Sequence, residues 1–127
     1  VNRTGYRRQG TDPDGAREIL ELARAHEEAG AFACVLEHVP GNLAAQITER
    51  LDTPTVGIGA GPDCDGQVLV FTDVVGLSED QPPFAEAFGD VRSEIGDAVS
   101  SYVDAVAEGS FPSGEHFEAR EELDDLY

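Results

Sequence analysis

The sequence predicts an α/β fold. Stretches with apolar residues at helical spacing alternate with short runs that are apolar on both faces, and Gly and Pro residues bound these segments. Its 127 residues suffice for one domain or for a piece of a larger one, and a second full domain is excluded.

Asp12 to Gly30 reads as a helix: Asp12 caps it, Pro13 fits its first turn, Ala16, Ile19, Leu20 and Ala23 share a face, and Gly30 closes it. Phe32 to Leu36, apolar on both faces and bounded by Gly30 and Pro40, suits a strand buried in a parallel sheet. Asn42 to Leu51 forms a short helix with Leu43, Ile47 and Leu51 on one face, and Thr55 to Ile58 forms the next buried strand. β propensity alone makes Val68 to Phe71 a strand as well. Parallel neighbours, however, need a crossover of about a dozen residues or more, and Gly59 to Gln67 is shorter and rich in turn formers. The segment is therefore read as a helix from Gly66 to Val75, capped by Asp65 and stopped by Gly76, with Phe84 to Phe88 as the following strand. A last helix, Asp90 to Glu108, carries Val91, Ile95, Ala98, Val99, Tyr102 and Val106 on one stripe.

Three strands buried on both faces need further strands beside them, and a (β/α)8 TIM barrel takes about 250 residues. The expected architecture is thus half of such a barrel, its second or C-terminal half, over residues 1–112, followed by an acidic, mobile tail over 113–127. Val1 as first residue and the lack of any Met lead to the expectation that the numbering starts inside a longer reading frame. Without the other half, exposed strand edges would make the segment fold poorly and aggregate.

Acidic residues number 26 against eight basic ones, all arginine, for a net charge of -18. Repulsion from phosphates argues against nucleic acid and against anionic membrane surfaces as partners. The longest apolar stretch, Ala29 to Leu36, is far short of the roughly 20 residues that span a bilayer, and no signal peptide is expected. Self-repulsion of this size is relieved by salt, which at about 1 M shortens the screening length to about 3 Å, so the surface is read as adapted to a salty cytoplasm. Cys34 and Cys64 have no zinc or redox spacing and are expected as reduced thiols.

Glu37 follows directly on the strand Phe32 to Leu36. Carboxyl ends of barrel strands face the active site, so an acid there is a candidate general base, and desolvation by apolar strand neighbours would suit it to the task. A solvated loop carboxylate is the structural alternative. His38 is expected to point the opposite way from Glu37 and to be structural. In Gly57-Ile58-Gly59-Ala60-Gly61 the missing side chains of Gly59 and Gly61 let backbone N–H groups approach a carboxylate or phosphate, although tight strand-to-helix packing explains the run equally well. Asp63 and Asp65 are read as turn and cap residues rather than metal ligands.

Five strings occur in the order seen in the ketopantoate hydroxymethyltransferase family: Gly5-Tyr6-Arg7-Arg8-Gln9-Gly10, Val35-Leu36-Glu37-His38-Val39-Pro40, Pro54-Thr55-Val56-Gly57-Ile58-Gly59-Ala60-Gly61, Asp65-Gly66-Gln67-Val68-Leu69-Val70 and Gly109-Ser110-Phe111-Pro112. The chain resembles that family over Val1 to His116. The resemblance implies a TIM barrel, generally homo-oligomeric, that transfers a one-carbon unit from 5,10-methylenetetrahydrofolate to the 2-oxo acid 3-methyl-2-oxobutanoate. The product is 2-dehydropantoate, on the route to pantothenate and coenzyme A. It implies Mg2+ chelating the 2-oxo acid, with metal ligands in the half of the barrel this sequence lacks, and places the proton acceptor at Glu37. The segment alone would be inactive. It departs from the family pattern at Thr72, where His often precedes the matching Asp73, at Phe117, where Ser is usual, and in the lack of basic residues over Phe84 to Phe88. Two other readings compete: another Mg2+-dependent barrel that makes or breaks carbon–carbon bonds in 2-oxo acids, and a non-catalytic half-barrel module.

Overall fold

A computed structural model describes residues 7–121, so Gly5 and Tyr6 of the first matching string and residues 122–127 of the expected tail lie outside the described residues. The chain divides into two compact units, Val1–Gly89 and Asp90–Tyr127.

The first unit contains α1 (Pro13–Glu28), β1 (Cys34–Glu37), α2 (Gly41–Arg50), β2 (Thr55–Ile58), β3 (Gly66–Gln67) and α3 (Phe71–Val74). As expected, Asp12 caps α1, its carboxylate accepting from the N–H groups of Asp14 at 3.1 Å and Gly15 at 3.0 Å, with Pro13 in the first turn. The strands form a parallel sheet in the order β1-β2-β3, with Cys34 beside Thr55 and Glu37 beside Ile58.

Side chains alternate across this sheet because the strand period is two. Leu36, Thr55 and Gly57 are buried on the face that α1 and α2 cover. There Ala23 of α1 and Leu43, Ala44 and Ile47 of α2 pack with Leu36, Val39, Leu51 and Ala60 into the core. The apolar spacing of both helices serves this single cluster. On the opposite face Val35 is 62% exposed and Glu37 is exposed. A parallel sheet is normally covered on both faces, so this open face is the side on which the unit lacks a partner layer.

The structure corrects four expectations. No helix spans Gly66 to Val75: Gly66–Gln67 is β3, parallel to β2, and only Phe71–Val74 is helical. The crossover rule presumes a helix laid across the sheet, whereas residues 59–65 return over β2 as a tight loop. Gly57 permits this, since a Cβ there would stand 2.9 Å from the Cys64 Sγ. Asp65 caps nothing; its carboxylate instead accepts from the backbone N–H of Thr55 at 2.8 Å and from the Thr55 hydroxyl at 3.1 Å, tying the start of β3 to that of β2. Phe84 to Phe88 is not a strand. Ala85 N–H closes a turn onto the carbonyl of Pro82, and Phe88 N–H donates to the carbonyl of Val74, so the segment's backbone is committed to loop contacts. Finally β1 starts at Cys34 rather than Phe32, and Phe32 is 93% exposed.

A second carboxylate clamp was hidden from sequence. Glu27, in the last turn of α1, accepts from the N–H groups of Thr53 at 2.7 Å and Asp52 at 2.8 Å, anchoring the approach to β2. The Thr53 N–H does most to hold the Glu27 carboxyl below its ordinary 4.5; burial opposes the shift, and the Thr53 hydroxyl, the Asp52 N–H and Arg24 add to it. The Thr55 N–H, followed by the Thr55 hydroxyl, likewise holds Asp65 below its ordinary 3.8 against an opposing desolvation. A carboxyl depressed in the folded state stabilises fully above its unfolded pKa and loses that contribution as pH falls through the folded one. The Glu27→Gln, Asp65→Asn double variant should therefore lose less stability than wild type on acidification below these ordinary values, 4.5 and 3.8. Urea midpoints on both sides of that window measure the difference, and parallel losses in the two proteins would contradict it.

Both cysteines are free thiols, and burial pushes the Cys34 thiol up.

The second unit is built on α4 (Val91–Ala107), where the sequence expects a helix. The Asp90 side chain caps it through the Ser93 N–H at 3.2 Å. The stripe of Val91, Ile95, Val99, Tyr102 and Val106 forms along the helix and none of it is buried. Beyond α4, the Phe111 ring stands 5.6 Å from Tyr102 and 4.9 Å from His116, whose Nδ1 lies 2.7 Å from the Ser113 hydroxyl. No helix among the described residues is long and apolar enough to cross a membrane.

Candidate functional site at the strand carboxyl ends

Ligands of open parallel sheets bind beyond the carboxyl ends of the strands, and here those ends carry Glu37 and the glycine run. Glu37 is the last residue of β1, level with Ile58. Strand alternation puts it on the open face, where it is exposed. The desolvation expected from its strand neighbours is thus not supplied by this chain.

The next residues, His38 and Gly59, turn the chain out of the sheet in the same way. Both are left-handed, with φ of 52° and 64°. The His38 N–H donates to the carbonyl of Ile58 at 2.8 Å, and the His38 carbonyl accepts from the Gln9 N–H at 3.1 Å. The His38 side chain is buried, only 8% exposed, whereas Glu37 is exposed. Its ring centroid is 5.0 Å from that of Phe84, and its buried Nδ1 has no hydrogen-bond partner among the described residues.

A Cβ on Gly59 would lie 2.6 Å from the Cγ of Phe84, and one on Gly61 would lie 3.0 Å from the Cα of Gly41 at the start of α2. Both glycines thus have a packing reason in addition to a positive φ. Gly59→Ala should cost roughly 1–3 kcal/mol, since a Cβ is forced both into a left-handed residue and against a ring. Denaturant unfolding measures it, and an unchanged midpoint would mean that Phe84 swings aside freely.

Asp63 is exposed and Asp65 is engaged by Thr55. Among the described residues no group of three His, Cys, Asp or Glu side chains is placed to hold a metal ion. A cavity of about 350 Å³ opens between the first turns of α1 and α2, lined by Thr11, Asp12, Arg17, Asn42 and Gln46 among others; it includes neither Glu37 nor Gly59 nor Gly61.

The structure therefore brings Glu37, Gly59 and Gly61 to one end of one sheet, as the spacing predicts. It adds His38 and Phe84, which pattern reading left as a structural residue and as the start of a strand. A His in a position whose backbone suits Gly is visible only once φ is known.

Fold and site together define a segment of a parallel α/β protein with a carboxylate and a glycine loop at the carboxyl ends of its strands. The ketopantoate hydroxymethyltransferase family profile matches residues 1–114, and the chain belongs to that family. It is 68% identical over its whole length to 3-methyl-2-oxobutanoate hydroxymethyltransferase of Haloarcula marismortui, covering 47% of that protein. The enzyme of the same name from Halobacterium salinarum is 62% identical over 97% of the chain and 45% of the relative. For Pyrobaculum calidifontis the values are 52%, 89% and 43%. The chain thus spans a little under half the length of the curated relatives it matches. The halophiles among them agree with the salt-adapted surface read from the charge.

Proposed function

We propose that the chain supplies the C-terminal half of a (β/α)8 barrel that transfers a hydroxymethyl group from 5,10-methylenetetrahydrofolate to 3-methyl-2-oxobutanoate, giving 2-dehydropantoate, with Glu37 as proton acceptor. The observation that carries this reading is the place of Glu37, at the carboxyl end of β1 on the open face of the sheet, in a chain 68% identical to an enzyme of that name. The other half of the barrel would cover this face, so Val35 and Glu37 become interior, and the carboxylate gains the water-poor setting that a base needs.

Glu37 takes the proton from C3 of the 2-oxo acid, and the electron pair left behind forms the new bond from C3 to the methylene carbon. The bonds from that carbon to the folate nitrogens break, one water supplies the hydroxyl oxygen, and tetrahydrofolate leaves. Backbone N–H groups at Gly59 and Gly61, one and three residues beyond the partner of Glu37, are the proposed cradle for the substrate carboxylate. The described residues gather no ligand set for the Mg2+ implied by the resemblance, whose ligands are expected in the other half of the barrel. The family resemblance also supports a cytoplasmic homo-oligomer.

The test follows the complete enzyme in high salt with Mg2+. NMR should show the C3 proton of 3-methyl-2-oxobutanoate exchanging into D2O, and 2-dehydropantoate should form only when the folate is added. Exchange with no folate-dependent product would point to another 2-oxo acid barrel, and loss of both would leave a binding module.

A further inference from the structure

His38 stands one residue beyond the proposed base and is the only non-glycine with positive φ among the described residues. The adjacent strand meets the same geometric demand differently: Gly59, level with His38, adopts the left-handed turn without steric cost. A Cβ makes this conformation unfavourable for an ordinary residue. Strain of this kind persists where the surroundings over-determine it, and it clusters at working sites.

Here the surroundings can be named. The backbone of His38 is held on one side by Ile58 and on the other by Gln9. Its ring is buried against Phe84, and Phe84 in turn fills the space where Gly59 has no side chain. His38, Phe84 and Gly59 thus form one packed chain that joins the end of β1 to the end of β2. The ring's observed contact is with Phe84, and its buried Nδ1 has no hydrogen-bond partner among the described residues.

We propose that His38 is a positioning residue for Glu37: ring packing on Phe84 locks the left-handed turn and so fixes the direction in which the Glu37 carboxylate leaves the sheet. This rests on the proposed role of Glu37. The ring does not touch substrate; it acts through the backbone it immobilises.

The experiment compares wild type, His38→Gly and His38→Phe in the complete enzyme, by C3 proton exchange and by crystal structure. Gly suits the turn but removes the lock, so the variant should fold and bind the 2-oxo acid with unchanged KM while kcat for exchange falls by about 10- to 100-fold. Phe restores a ring against Phe84 without a ring nitrogen and should recover most of that loss. In crystals of His38→Gly the Glu37 carboxylate should take more than one orientation. The proposal is overturned by a wild-type kcat in His38→Gly, by a rise in KM at constant kcat in both variants, which would make the imidazole a substrate ligand, or by a single unchanged Glu37 orientation. A wild type that fails to exchange refutes the role of Glu37 instead, and the crystal structures then still decide whether His38 orients that side chain.

Discussion

Replacing Glu37 by Gln is expected to slow exchange of the C3 proton of 3-methyl-2-oxobutanoate by about 100- to 10,000-fold, the range that general-base catalysis contributes. Gln keeps the size and shape of the side chain and removes only the capacity to take a proton. Its neighbours Val35, Val56 and Ile58 are apolar and carry no carboxylate that could replace it on the same face. Substrate binding should therefore survive while the rate is lost, the pattern of a group needed in the transition state rather than in the ground state. NMR exchange in D2O with the complete enzyme separates the two quantities. A variant that exchanges as fast as wild type places the base elsewhere.

Ile47→Ala should cost about 2–5 kcal/mol, the range for deleting a buried branched side chain with incomplete collapse around the cavity. Ile47 is fully buried in the middle of α2, among Leu36, Leu43, Ala44 and Leu51. Its neighbours belong to both a helix and the sheet, so the space it leaves cannot close by moving one of them alone. Urea midpoints at fixed salt give the value, and a loss below about 1 kcal/mol would mean that α2 repacks freely. Val35→Ala is the informative contrast. Val35 is 62% exposed here, so the change should matter little in the 127-residue chain and should destabilise the complete protein if, as proposed, the rest of a barrel covers the open face.

Elements whose cause is local were legible in the residues alone. Asp12 and Pro13 started α1, the helical spacing of Leu43 and Ile47 defined α2, and the doubly apolar runs became β1 and β2. The sequence also put Glu37 at a strand end, because a carboxylate that directly follows an apolar run has few other places to be. Tertiary structure alone decided the return from β2 to β3, since a parallel pairing without a helical crossover depends on Cys64 and Gln67 passing over Gly57 and on the Asp65 clamp on Thr55. The partners in those contacts are up to ten residues apart and carry no periodic signal. It alone revealed that Phe84 belongs to no strand and braces His38, and that His38 holds a backbone angle suited to glycine. Local pattern reports which face of an element is buried. A loop's path and a residue's strain depend on what distant segments bring against it.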